Sequence, residues 1–336
     1  MPRAALALLL LAACAAPAPS ATSTGSVAAT VEPEPSAASQ GASPSPAALA
    51  WEVLEDAPFA RLEMAVTAHG GRIWLAGGLS PLGEALTDVE IFDPATGEWS
   101  EGPSLPTGVH HAALVSDGTR LLLIGGYLGR NPSRPTNIVL VLDERADAWR
   151  EGPVLPDARG AGAAAFDGSR IVMAGGVGPS GQAAADVFGL AGDAWERIGA
   201  MNREREHLAA ASDGAGRVWL LGGRVTGVAS NLADVEVVTD AAVEQLESLP
   251  TARSGVAAFH VRGVGACLTG GEGPDGAFTT VECIDSNGTV STFPELNEAH
   301  HGHGAAVVDG VVYVLLGGPE PGLSASSVVE ALVLKP

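Results

Sequence analysis

Arginine and histidine recur in this chain at spacings that would let them act together. Arg61, Arg159, Arg205 and Arg253 each lie three residues after Pro58, Pro156, Asn202 and Pro250, and Val109 and His300 stand at the same offset from Pro106 and Asn297. Counting back from a downstream glycine pair puts His301 at the last of these positions instead. Guanidinium groups present paired donors that match carboxylates, so Arg61, Arg159, Arg205, Arg253 and His301 around one opening would bind an anionic ligand. The same side chains would serve equally as partners for Glu90, Glu236, Glu282 and Glu330, which also recur in phase. A second set, His111, His207 and His303, is spaced 96 residues apart. Three imidazoles meeting at one point would hold a transition metal. Packed separately they would be structural, and no cofactor is expected.

Such spacings require a repeating scaffold. Glycine pairs fall at Gly77-Gly78, Gly125-Gly126, Gly175-Gly176, Gly222-Gly223, Gly270-Gly271 and Gly317-Gly318, with intervals of 48, 50, 47, 48 and 47 residues. Intervals of this size mark a repeat architecture. An apolar run precedes each pair. In most copies a tight turn such as SDGTR or FDGSR comes before that run, and Asp-Gly between apolar runs is a hairpin signal. A polar loop follows each pair, then a short strand such as DVEIFD or IVLVLD. A further strand opens on Trp99, Trp149 or Trp195 in three copies and on Val243 or Val290 in two. Each unit is thus a four-stranded meander, which is one blade of a β-propeller.

The paired glycines with the downstream Trp, and the segment REHLAA (Arg205 to Ala210), resemble the kelch repeat. The resemblance covers Trp51 to Pro336. It implies an all-β, six-bladed kelch-type propeller with four-stranded antiparallel blades. The chain departs from the pattern at Gly189, where an aromatic is usual, and in copies five and six, which lack the Trp. AWEVLEDAP (Ala50 to Pro58) reads as a fourth strand and the C-terminus stops after a third strand, VVEALVL. The N-terminal strand is therefore expected to complete the last blade and close the ring, leaving no exposed edge. By the same resemblance, the in-phase Arg and His residues belong to the repeat consensus. Kelch propellers also include copper-radical oxidases and periplasmic proteins that act on sialic acid. The former need a Cys-linked Tyr and a second Tyr, whereas this chain has only Tyr127 and Tyr313, in no such context.

Cys267 and Cys283 flank a loop centred on Asp275-Gly276, which places them opposite one another on neighbouring strands, either bridged or as two buried thiols. The third cysteine, Cys14, ends the apolar run of MPRAALALLLLAAC, which reads as a signal peptide of residues 1–14. LAAC resembles a bacterial lipobox, implying lipidation at Cys14, with Ala15 next to it favouring the outer membrane in a two-membrane cell. Residues 15–49 are almost all Ala, Ser, Pro, Thr and Gly and read as a disordered tether.

With 18 basic and 39 acidic residues the net charge is −21, which disfavours nucleic acid and anionic lipid as partners. No nucleophile elbow, P-loop or dinucleotide fingerprint is present. The sequence therefore predicts a monomeric, non-enzymatic binding lipoprotein. It would be anchored at the envelope only through its lipid and recognise a protein or carbohydrate through propeller loops. The alternative is an extracytoplasmic enzyme acting on an acidic sugar at the arginine-lined mouth.

Overall fold

The computed structural model describes residues 49–130, 134–143 and 147–334. Cys14, the signal peptide and all but the last residue of the tether lie outside this range. Six four-stranded antiparallel sheets follow one another along the chain, each a blade. Blade one comprises Ala65–His69, Arg72–Ala76, Val89–Asp93 and Glu98–Glu101. Blade four comprises Ala209–Ser212, Val218–Leu221, Val235–Val238 and Val243–Gln245. The first strand of each blade lines the central channel.

The second strands are buried because both faces meet neighbours. Leu121, Leu122, Leu123 and Ile124 of Arg120–Ile124 are at most 1% exposed. The hydrophobic core is divided among the interfaces between blades. Ile73, Leu75 and Phe92 of blade one pack on Tyr313 and Leu315 of blade six, and Ala76 and Val89 pack on Leu121 and Leu123 of blade two. The Trp residues of the fourth strands clasp adjacent blades. The indole N–H groups of Trp149, Trp195 and Trp51 donate to the carbonyls of Pro103, Pro153 and Pro294.

The ring closes as the sequence predicts. Glu52–Val53 pairs antiparallel with Val329–Val333, Glu52 opposite Ala331 and Val53 opposite Glu330. Cys267 and Cys283 are directly opposed in blade five and form a disulfide.

The glycine pairs are where one blade hands over to the next. Gly77 and Gly78 have φ of +63° and +95°, a region L-residues avoid, and a Cβ on Gly77 would collide with the Val109 carbonyl. The N–H of the second glycine donates across the interface: Gly78 to Val109 O, Gly126 to Arg159 O, Gly176 to Arg205 O, Gly223 to Arg253 O and Gly271 to His300 O, all at 2.7–2.9 Å. In blade six the pair is displaced by one residue. Leu316 (φ +57°) and Gly317 (φ +82°) take the two positions, and Gly317 N–H donates to Arg61 O at 2.9 Å. Gly317-Gly318 is therefore not the sixth copy in register, and His300, not His301, is the counterpart of the arginines.

Candidate functional site

Two residues beyond each of these positions the chain reaches the axis. Glu63, His111, Ala161, His207, Gly255 and Gly302 occupy equivalent places in blades one to six, all with φ between +52° and +62°. Their backbones form a closed ring. His111 N–H donates to Glu63 O, Ala161 to His111, His207 to Ala161, Gly255 to His207, Gly302 to Gly255 and Glu63 to Gly302, at 2.7–3.1 Å. A left-handed φ is what directs each N–H sideways to the preceding blade rather than along its own strand. Non-glycine residues tolerate this region at a cost of roughly 1–3 kcal/mol each, and here Glu63, His111, Ala161 and His207 all adopt it.

This ring divides the channel. A cavity of about 100 Å³ is lined by the ring residues and by Met64, Leu208 and His303. Further along, the wall is mostly alanine (Ala113, Ala164, Ala210, Ala258, Ala305). It opens into a wide end of about 530 Å³ bordered by Ser116, Phe166, Ser212 and His260. The long loops after the glycine pairs lie at the ring end. There the residue before each ring position bridges the start of the loop: His110 to Tyr127, Glu206 to Arg224, Ser254 to Glu272 and His301 to Gly318.

Polar side chains gather at this end. Arg224 is the hub: Nε donates to Glu206 Oε1 at 2.6 Å, Nη1 to Glu272 Oε1 at 2.7 Å and Ser254 Oγ at 3.3 Å, and Nη2 lies 3.1 Å from His207 Nε2. His207 Nδ1 contacts Glu206 Oε2. His111 Nε2 lies 3.3 Å from Glu63 Oε2, and its Nδ1 lies 2.5 Å from His110 Nδ1. His110 Nε2 donates to Gly129 O at 3.1 Å. Tyr127 covers both imidazoles, with ring centroids 5.5 and 5.6 Å away. Burial raises the Glu63 carboxyl above its usual range. Burial, reinforced by Arg224, lowers His111 to about 3 and His207 well below the imidazole range; burial and the adjacent His111 lower His110 to about 4. Tyr127 is pushed up to about 12 by burial.

The residues singled out from sequence fall into two groups. Arg61, Arg159, Arg205 and Arg253 are at most 3% exposed and pair inside their blades, with Glu90 (2.6 Å), Asp186 (3.0 Å), Glu236 and Glu282 (3.4 Å). His300 stands likewise 3.3 Å from Glu330. They present no guanidinium to the channel, because each is engaged by an acid of its own blade. Arg205 also donates to Leu220 O and Arg253 to Leu268 O. His301 is near the ring, but its two nitrogens face the carbonyls of Gly318 and Gly322. His111 and His207 do meet, with ring centroids 4.8 Å apart. His303 does not take the third place. Because the last repeat is one residue short, Gly302 holds the ring position and His303 packs beside Gly270 and Gly317. Glu63 supplies the third donor instead: one atom each of Glu63, His111 and His207 lie within 4.8 Å of one another. Sequence reasoning missed Glu63, His110, Tyr127, Glu206, Arg224 and Glu272. The first could have been found by reading two residues beyond Arg61, as His207 lies two beyond Arg205.

Residues 60–106 and 109–155 match the Kelch motif, one blade each. A 95-residue stretch is 34% identical to alpha-scruin of Limulus polyphemus, covering 27% of this chain and 10% of that protein. An 82-residue stretch is 34% identical to Kelch-like protein 34 of Homo sapiens, covering 24% and 13%. Beta-scruin of Limulus polyphemus is 30% identical over 102 residues, 29% of this chain and 11% of its own length. The match thus spans about a tenth of the length of these relatives. Together with the geometry it makes the fold a six-bladed, kelch-type propeller.

Proposed function

We propose that this chain is a non-enzymatic binding propeller that presents the loops of its ring end to a protein or glycan, tethered at the cell envelope through a lipid on Cys14. The observation that carries the reading is the composition of that face. The six long loops converge there, and two of them expose large apolar side chains, Leu82 at 76% and Leu323 at 62%. Gly83 abuts Leu323, so these two loops, from blades one and six, form one apolar ridge. An exposed apolar ridge beside a polar depression suits a macromolecular partner. The Kelch-motif matches support the same reading. Anchoring rests on the LAAC motif; among the described residues no helix is long and apolar enough to cross a membrane.

The charge of the mouth argues against an acidic sugar. Glu63, Glu206 and Glu272 face a single guanidinium, Arg224, which already serves two of them. The consensus arginines are occupied within their blades. Within the described cluster, Arg224 is the one guanidinium, and it is already engaged by two carboxylates.

Two measurements test the proposal. Affinity capture from envelope extract, with and without Leu82→Ser/Leu323→Ser, should retain a partner only on the wild-type face; equal capture by both would refute it. A thermal-shift panel of acidic and neutral glycans should show stabilisation by neutral ones alone. Stabilisation by an acidic sugar would favour the enzyme reading instead.

A further inference from the structure

The hydrogen-bond network fixes which ring nitrogens carry protons. His110 Nε2 faces a carbonyl, Gly129 O, so it holds the proton, and neutral His110 has a bare Nδ1. That Nδ1 is 2.5 Å from His111 Nδ1, which must then be the donor. Neutral His111 is left with a bare Nε2, and this atom faces the Glu63 carboxyl oxygen at 3.3 Å. In His207, Nδ1–H donates to Glu206, and the Nε2 lone pair accepts from Arg224 Nη2 at 3.1 Å. The His111 lone pair and a Glu63 carboxyl oxygen are thus turned toward one another beside the propeller axis, with a ligand atom of His207 within 4.8 Å of both. Acceptors facing acceptors in a half-buried cavity repel unless a cation lies between them. The wider balance agrees, since three carboxylates face one guanidinium across the cluster.

We infer that Glu63, His111 and His207 form a binding site for one divalent transition-metal ion of the zinc class. Two imidazoles with one carboxylate are a donor set such ions take. Zinc bonds of about 2.0–2.1 Å in tetrahedral geometry put donor atoms roughly 3.4 Å apart. The His111–Glu63 separation of 3.3 Å already meets this, and a ligand atom of His207 lies within 4.8 Å of both. The supporting contacts are those a metal site needs: His110 orients His111, and the Glu206 carboxylate orients His207. On binding, Arg224 gives up its contact with His207 Nε2 and keeps Glu206 and Glu272. A divalent charge neutralises the two carboxylates that Arg224 leaves uncompensated.

The probe is the metal alone, on the full chain without an affinity tag and with Cys14→Ser to remove the thiol outside the disulfide. After chelation and desalting, Zn²⁺ should bind at one equivalent by calorimetry and raise the melting midpoint. Co²⁺ should give the d–d absorption of a low-coordinate site. Glu63→Gln and His207→Ala should each weaken Zn²⁺ binding at least tenfold, while His260→Asn, at the wide end, leaves it unchanged. Should His207→Ala fail to fold by circular dichroism, Glu63→Gln, which keeps the shape, decides. No binding at micromolar Zn²⁺, or undiminished binding in Glu63→Gln, overturns the site. The readout involves no partner, so its outcome is independent of the capture experiment.

Discussion

Two sets of arginine–carboxylate contacts sit a few residues apart and answer to different constraints. Inside blade four, Arg205 and Glu236 are 0% and 1% exposed and matched one to one. At the ring, Arg224 serves Glu206 and Glu272 together, with Glu63 beyond its reach in the same cluster. Pairing decides how far burial shifts a carboxyl only where the donors are numerous: Glu90, with Arg61 alone, is still shifted up by burial. Glu330 is desolvated, yet His300 and the N–H groups of Asn297 and Glu298 hold its pKa below the usual value. Glu63, buried without a matching set of donors, is shifted up. A buried charge with its own counter-charge explains itself through the fold. A buried surplus points outward, to something the site is built to receive.

Breaking the balanced side should have the largest effect. Arg205→Met leaves Glu236 buried without its partner and should cost about 3–5 kcal/mol in denaturant unfolding. Arg205→Met/Glu236→Leu should recover most of that loss; failure to recover would mean the pair does more than neutralise itself. Relieving the unbalanced side should do the opposite. Without metal, Glu63→Gln should leave stability unchanged or raise it by about 1 kcal/mol, since it removes a surplus carboxylate. A loss comparable to that of Arg205→Met would put Glu63 in the balanced class.

Acid should separate the regions further. His303 is buried neutral, its pKa held well below the imidazole range chiefly by burial and then by His300. The unfolded chain takes up this proton below about pH 6.5 while the folded protein does not, so unfolding binds protons and stability falls as pH drops. A urea series from pH 7.5 to 5 should show this slope, and His303→Met should make it shallower, leaving the share of His110, His111 and His207. The smallest effect is expected at Gly255 (φ +62°), where an added Cβ meets nothing nearer than 3.6 Å. Asparagine tolerates this conformation, so Gly255→Asn should shift the unfolding midpoint by only a few tenths of a kcal/mol.

The blades were legible in the sequence because each is specified locally: an apolar run, a turn, a glycine pair and a Trp at constant offsets. Ring closure was legible because Trp51 repeats the offset of Trp99. The ring itself was not. His303 was placed on the axis by adding 96 to His207, but the last repeat is one residue shorter, and Leu316 takes a left-handed φ where glycine was expected. A one-residue slip is invisible in composition and decisive for direction. Arg224 and Glu272 directly follow their glycine pairs, but their types vary from repeat to repeat; a bridge within blade four sets Arg224 beside Glu206, and the packing of blade five against blade four brings Glu272 to it.

The six-amide ring has a consequence for how such an aperture can change. Every member contributes one N–H, one C=O and one left-handed φ through its backbone, whichever side chain it carries and at the strain already noted for the non-glycine members. Gly255 has room for a side chain, whereas one at Gly302 would displace the Glu63 carboxyl. Here the six places spell Glu, His, Ala, His, Gly, Gly. A different spelling would alter what enters the channel while the amides holding the blades together stay as they are, so recognition and architecture can be rewritten separately in this molecule.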